Sequence, residues 1–147
     1  SISVAGNVKI LDLNALRCDL LHYLNLYSTN IQYKGYNDIE GFNEVARHKY
    51  KDVDVQNLLE FDTNQFYDYG IFVGSVLPES DGLDLFNRFI DIYKNNCKEL
   101  IILYPNKYNW IEANAITIEK ISEILSSKSV NFKIEFYNFT NLIKITI

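Results

Sequence analysis

The sequence predicts an α/β (or α+β) fold: a mixed sheet of about four to five strands with a central βαβ unit, helices packed on it, and a C-terminal β-hairpin. Three observations predict it. Residues 67–105 read as apolar run, amphipathic stretch, apolar run (YDYGIFVGSVLP, ESDGLDLFNRFIDIYKNNC, KELIILYP), the pattern of two buried strands joined by a crossover helix. The end of the chain alternates instead. Val130, Phe132, Ile134 and Phe136 share one face, followed by Ile143, Ile145 and Ile147 after a turn near residues 138–141. A chain of 147 residues that is 48% hydrophobic also has enough apolar material for one packed globular domain, residues 1–147.

Taken in order, residues 8–11 form a short apolar stretch suited to a first strand. Asp12 or Asn14 can then cap a helix running to about Tyr27, with Leu13, Leu16, Leu20 and Leu24 on one stripe. Residues 28–36 (STNIQYKGY) read as a polar, aromatic loop with Gly35 as a turn residue. A second helix follows from Asn37 or Asp38 to Tyr50, where Glu40 and Glu44 stand one turn apart and Gly41 weakens the pattern. Residues 51–66 fit a short strand, a turn of helix or a covering loop. The crossover helix starts at Ser80 or Asp81, and Leu83, Phe86, Phe89, Ile90 and Tyr93 step by three and four along its buried side. After Pro105 comes a polar, aromatic loop with the only tryptophan. Thr117 then caps a helix carrying Ile118, Ile121, Ile124 and Leu125.

Charge narrows the function classes. The net charge is −5, and residues 52–91 hold nine acids against one base, Arg88. That imbalance works against nucleic-acid binding, which needs clustered Lys and Arg, and favours a basic protein partner or a solubilising face. No apolar run approaches a membrane span, and the start of the sequence lacks a secretory pattern. Two cysteines, Cys18 and Cys97, are too few for a disulfide framework, so a cytoplasmic location with reduced thiols is expected.

Catalytic constellations are missing from the sequence. Ser75 in VGSVL lacks the second glycine of a nucleophile elbow, and neither His22 nor His48 follows it as a base. Gly70 and Gly74 have neither dinucleotide nor Walker spacing. The Asp52/Asp54 and Asp62/Asn64 pairs lack the glycine and distant glutamate of a calcium loop, and no His/Cys set has zinc spacing. The expectation is therefore a non-enzyme with no catalytic residue, no metal and no cofactor. Loop aromatics, among them Tyr108 and Trp110, belong instead to the residue types that carry protein interfaces.

The order VKILDL, Leu-rich helix, YKGYN (33–37), IEGFNEVA (39–46) and FNRFIDIYKNNCKELIILY resembles the barstar-like ribonuclease inhibitors, within the bacterial toxin-immunity proteins. The resemblance implies a cytoplasmic immunity protein that neutralises a toxin, a nuclease above all, by covering its basic active site. It places Glu40 and Glu44 as the paired acids of the second helix, Tyr33 as the loop tyrosine and Asp91 as a further acid. With Tyr108 and Trp110 these make the expected partner-binding set. The partner is a cognate toxin protein, with no nucleic acid and no membrane. The alternative is a small-ligand-binding or enzymatic α/β domain using the strand-end edge near Ser75 and residues 104–110.

Overall fold

A computed structural model describes residues 7–27, 30–73, 79–105, 117–137 and 142–147. Seven strands form one sheet, β1 (Val8–Leu13), β2 (Ile31–Asn37), β3 (Val55–Asn57), β4 (Tyr67–Val73), β5 (Cys97–Pro105), β6 (Lys133–Tyr137) and β7 (Leu142–Thr146), in the order β3-β2-β1-β4-β5-β7-β6. The first five in that order run parallel, and β7 joins antiparallel between β5 and β6. Helices α1 (Asp19–Asn25), α2 (Glu40–Lys49), α3 (Glu79–Asn96) and α4 (Ile118–Ser127) complete the fold. The predicted class, the central βαβ unit (β4-α3-β5) and the C-terminal hairpin are all present.

The sheet is wider than predicted because residues 31–37 form β2, paired with β1 from Val8↔Ile31 to Leu13↔Tyr36, where the sequence reads as a loop. Its alternation is real but muted, since Gln32 and Lys34 face one side and Tyr33 and Gly35 the other. The first helix is also shorter than expected. Residues 14–18 form a turn, and only seven residues are helical. Thr117 caps α4 as predicted, its hydroxyl accepting the Lys120 N–H at 3.2 Å.

The two faces of the sheet carry different cores. Leu11, Leu13, Tyr36 and Phe72 pack with Phe86, Phe89, Ile90 and Tyr93 of α3 and with Ile121 and Leu125 of α4. Val8, Ile10 and Ile71 meet Leu20 and Leu24 of α1, while Tyr33, Cys18 and Val55 meet Ala46 of α2. The β1–β4 seam is tied from the α3 side by Tyr93. Its hydroxyl accepts the Leu13 N–H at 3.2 Å and donates to the Ile71 carbonyl at 3.0 Å. Between β3 and β4 stands only a single 3-10 turn, Leu58–Glu60, and no α-helix. That connection is instead fastened by Asn96, whose amide donates to the carbonyls of Thr63 and Gln65, both at 2.9 Å.

Candidate functional site

Strand order locates the site. From β1 the chain moves through α1 to β2 on one side, and after β3 it returns past β1 to β4 on the other. The carboxyl ends of β1 and β4 therefore lie where the winding reverses, which is where open parallel sheets form ligand crevices. A cleft of about 340 Å³ opens there, walled by Leu16, Leu20, Tyr23 and Val73, with Asp12 at its floor and Arg17 and Asp19 at its rim. The sequence expectation placed the working edge one strand over, near Ser75 and residues 104–110. Without β2 in view, the reversal point could not be located. Tyr104 is fully buried in the core, and Ser75, Tyr108 and Trp110 lie outside the described residues.

The turn after β1 is unusual. Asn14, Leu16 and Cys18 take positive φ values of 57°, 51° and 62° although none is glycine. Asparagine tolerates this conformation, whereas leucine and cysteine adopt it only when their surroundings hold them there. The holding groups are visible. Ala15 N–H donates to the Tyr36 carbonyl at 3.1 Å, and Cys18 N–H to the Ala15 carbonyl at 2.8 Å. Leu16 N–H donates to Asn37 Oδ1 at 2.6 Å, and Asn37 Nδ2 donates back to the Leu16 carbonyl at 2.9 Å.

Beneath the turn sits a buried polar cluster. Asp12 is 3% exposed, and its Oδ2 accepts the Tyr33 hydroxyl at 2.5 Å. Burial pushes the Asp12 carboxyl up to about 7, while the Tyr33 hydrogen bond works against that rise. Burial first, and then the neighbouring Asp12, push the Tyr33 hydroxyl well above its ordinary range. Burial likewise raises the Cys18 thiol to about 11, which leaves it a neutral, packed group. Replacing Tyr33 with Phe should lower the urea midpoint by the equivalent of about 1–3 kcal/mol, because Asp12 loses a buried donor. It should also raise the Asp12 carboxyl further. An unchanged midpoint would show that this hydrogen bond carries no stability.

The other predicted site residues do not converge. Tyr33, expected in a loop against a partner, is only 8% exposed and engaged by Asp12. Glu40 is exposed but engaged along its own helix, accepting from Arg47 Nη1 and Asn43 Nδ2, both at 2.9 Å. Glu44 is exposed on α2. Asp91 pairs with Lys128 at 2.7 Å on α3, a helix packed on the opposite face of the sheet from α2. A second concavity of about 320 Å³ lies over the sheet beside Lys34, Tyr36, Asp54 and Gln56. Its Lys34 is already paired with Asp54 at 2.6 Å. Among the described residues, no group of three or more His, Cys, Asp or Glu side chains gathers to hold a metal ion, and no helix is long and apolar enough to cross a membrane.

No protein-family model matches the sequence, and comparison with curated proteins finds no match. Solved structures do match. A SAM-dependent methyltransferase from Aquifex aeolicus superposes with a TM-score of 0.69 at 12% identity, covering 98% of this chain and 83% of that one. The plantazolicin methyltransferase BpumL, solved in complex with SAH, gives 0.65 at 13% identity over 95% of this chain and 74% of that one. The CurJ carbon methyltransferase gives 0.70 at 11% identity, covering 99% of this chain and 49% of that one, so the chain spans about half its length. Likeness at such identities establishes the fold.

These neighbours overturn the barstar-like resemblance and what it implied: an immunity protein, a non-enzyme, a toxin as partner. The physical reason lies in YKGYN. In the resemblance it is a recognition loop, but here it is the inner part of β2, with Tyr33 committed to Asp12. Element order and two acids four residues apart are shared by too many α/β chains to separate one fold from another.

Proposed function

We propose that this chain works on a small molecule held in the crevice at the ends of β1 and β4, an α/β domain of the ligand-binding or enzymatic kind. The single observation that carries this reading is the coincidence of a 340 Å³ cleft with the point where the sheet reverses its winding. That structural neighbours include methyltransferases, one of them solved with SAH bound, supports a small-molecule substrate in place of a protein partner.

The chemistry of the cleft defines what it can take. Leu16, Leu20, Tyr23 and Val73 provide apolar walls for a flat body. Asp12 supplies one polar contact at the floor. With its carboxyl near 7, it can donate a hydrogen bond when protonated and accept one when ionised. S-adenosylmethionine, which the fold brings to mind, is a poor match to the described residues. Its ribose diol needs an open acceptor at the end of β2, and its amino-acid end needs free N–H groups in the turn. Asn37 is 1% exposed with both amide hydrogens donated and its oxygen accepting from Leu16, and the N–H groups of Ala15, Leu16 and Cys18 are already bonded within the protein.

The test is a panel of flat aromatic amines and heteroaromatic fragments titrated into ¹⁵N-labelled protein. The expected result is amide shifts at Leu20, Tyr23 and Val73 with at least one fragment. Leu20→Trp, which fills the cleft, should abolish the shifts while leaving the fold intact. A folded protein in which no fragment moves these amides would overturn the reading.

A further inference from the structure

The crevice ends at a turn in which the N–H groups of Ala15, Leu16 and Cys18 are all bonded within the protein. One side chain accounts for the Leu16 peptide. The Asn37 carboxamide accepts from Leu16 N–H at 2.6 Å and donates to the Leu16 carbonyl at 2.9 Å, a two-point pairing of the kind one strand makes with another. Its second N–H donates to Asn43 Oδ1 at 2.8 Å. Asn43 donates in turn to Glu40 Oε2 at 2.9 Å, and Glu40 Oε1 accepts from Arg47, whose other terminal nitrogen donates to the Val55 carbonyl at 2.9 Å. Asn37 and Asn43 are 1% and 0% exposed. The chain of bonds therefore runs without interruption from the turn, through the end of β2 and the first turns of α2, to β3.

In dinucleotide-binding sheets the corresponding places hold a glycine turn that exposes backbone N–H groups, and an acid at the end of the second strand that accepts from a ribose hydroxyl. Here the turn has side chains at all three positive-φ positions, two of which, Asn14 and Leu16, line the cleft. The strand end has a buried amide whose two N–H groups are both used and whose oxygen already accepts from Leu16 N–H. At the turn peptides and the strand end, a phosphate, a carboxylate or a diol would have to break buried hydrogen bonds to find a partner; the exposed Arg17 and Asp19 stand apart at the rim.

We infer that Asn37 is a built-in occupant of the β1–α1 turn, and that the turn and the end of β2 accordingly offer no seat to a phosphate or vicinal diol, leaving the inner crevice to a compact, largely apolar ligand. This inference rests on reading the crevice as a ligand site, and names what that site excludes. Asn37 is a positioning residue: it holds Leu16 in its left-handed conformation and so sets the wall of the cleft.

The experiment separates the two readings by residue. S-adenosylhomocysteine, adenosine and NAD are each added to ¹⁵N-labelled protein at about 2 mM, a level at which weak ligands still register. The expected result is no shift at the Leu16 amide or the Asn37 side-chain amide, and no rise in the unfolding temperature. Leu16 N–H should also exchange slowly with solvent, and Asn37→Ala should speed that exchange at least about tenfold. Shifts at Leu16 or Asn37 on adding S-adenosylhomocysteine would overturn the inference, as would fast Leu16 exchange in the unaltered protein. Neither outcome bears on the fragment shifts at Leu20, Tyr23 and Val73, which test the crevice itself.

Discussion

Gly70→Ala should cost the protein about 3 kcal/mol of stability, toward the upper end of what overpacking does. Gly70 lies on β4, paired with Leu11, and a methyl group there would be driven into the Tyr93 ring at Cδ1 and Cε1 and would meet Cys97 Sγ at 3.0 Å. The ring has nowhere to go. It is 1% exposed, and its hydroxyl is bonded to backbone on both β1 and β4. Accommodating the methyl group means giving up those bonds or separating α3 from the sheet. Gly41 makes the matching control, with nothing within 4 Å of an added Cβ on the exposed side of α2. There, alanine should stabilise by about 0.5–1 kcal/mol through helix propensity and a stiffer unfolded chain. Urea unfolding of both variants decides the matter, and equal midpoints would refute the account of Gly70.

The second large effect is a dependence on pH set by Asp12. Its carboxyl ordinarily titrates at 3.8 and is pushed up to about 7 in the folded protein, chiefly by burial. Below about pH 4 it is protonated whether the chain is folded or not, and contributes no slope. Between about 4 and 7 the unfolded chain has released this proton and the folded one keeps it, so stability falls as pH rises, by up to about 4 kcal/mol across the window, and levels off above it. Asp19, Asp68 and Glu40 move the other way, lowered first by the Lys49 hydrogen bond, the Lys9 backbone N–H and the Asn43 amide respectively. Their contributions are present above the ordinary carboxylate range and are lost in more acidic solution, so the two windows meet only at the acid edge, between the ordinary values of 3.8 and 4.5. Asp12→Asn keeps an acceptor for the Tyr33 hydroxyl and removes the charge. Urea midpoints measured from pH 4 to 8 should fall for the parent protein and stay nearly level for the variant, which becomes the more stable of the two at pH 8. Parallel curves would show that Asp12 is not the titrating group.

How much of this was legible beforehand varies by element. The crossover unit was readable because its strands are apolar on both faces and its helix repeats at three and four, signals that hold whatever surrounds them. The hairpin was readable because alternation is a local property, and in the sheet Ile134 does stand opposite Ile145 and Phe136 opposite Ile143. The strand β2 was not. Lys34 and Gln32 sit on the sheet face where no helix covers β2 and β3, so the stretch lacks the apolar alternation of a covered strand, and Gly35 resembles a turn until Ala15 is seen packed against it.

The candidate site suffered most from that gap. A search for glycine-rich turns passes over NALRC, because the left-handed conformations at Asn14, Leu16 and Cys18 are imposed by partners from β2 and not by the residues themselves. One signal was available: an acid, Asp12, at the end of an apolar strand and directly before a polar turn.

By itself, then, the sequence determined the α/β class, the βαβ core, the closing hairpin and the cap at Thr117, since each depends on periodicity or on groups a few residues apart. Only the tertiary structure decided where the sheet reverses, that Asp12 and Tyr33 share a buried proton-holding contact, that Glu40 is bound by its own helix, and that Asn37 closes the turn above the crevice. All but the Glu40 pairing join residues far apart in the chain, and the Asp12 and Asn37 contacts take their chemistry from burial, which sequence distance does not record.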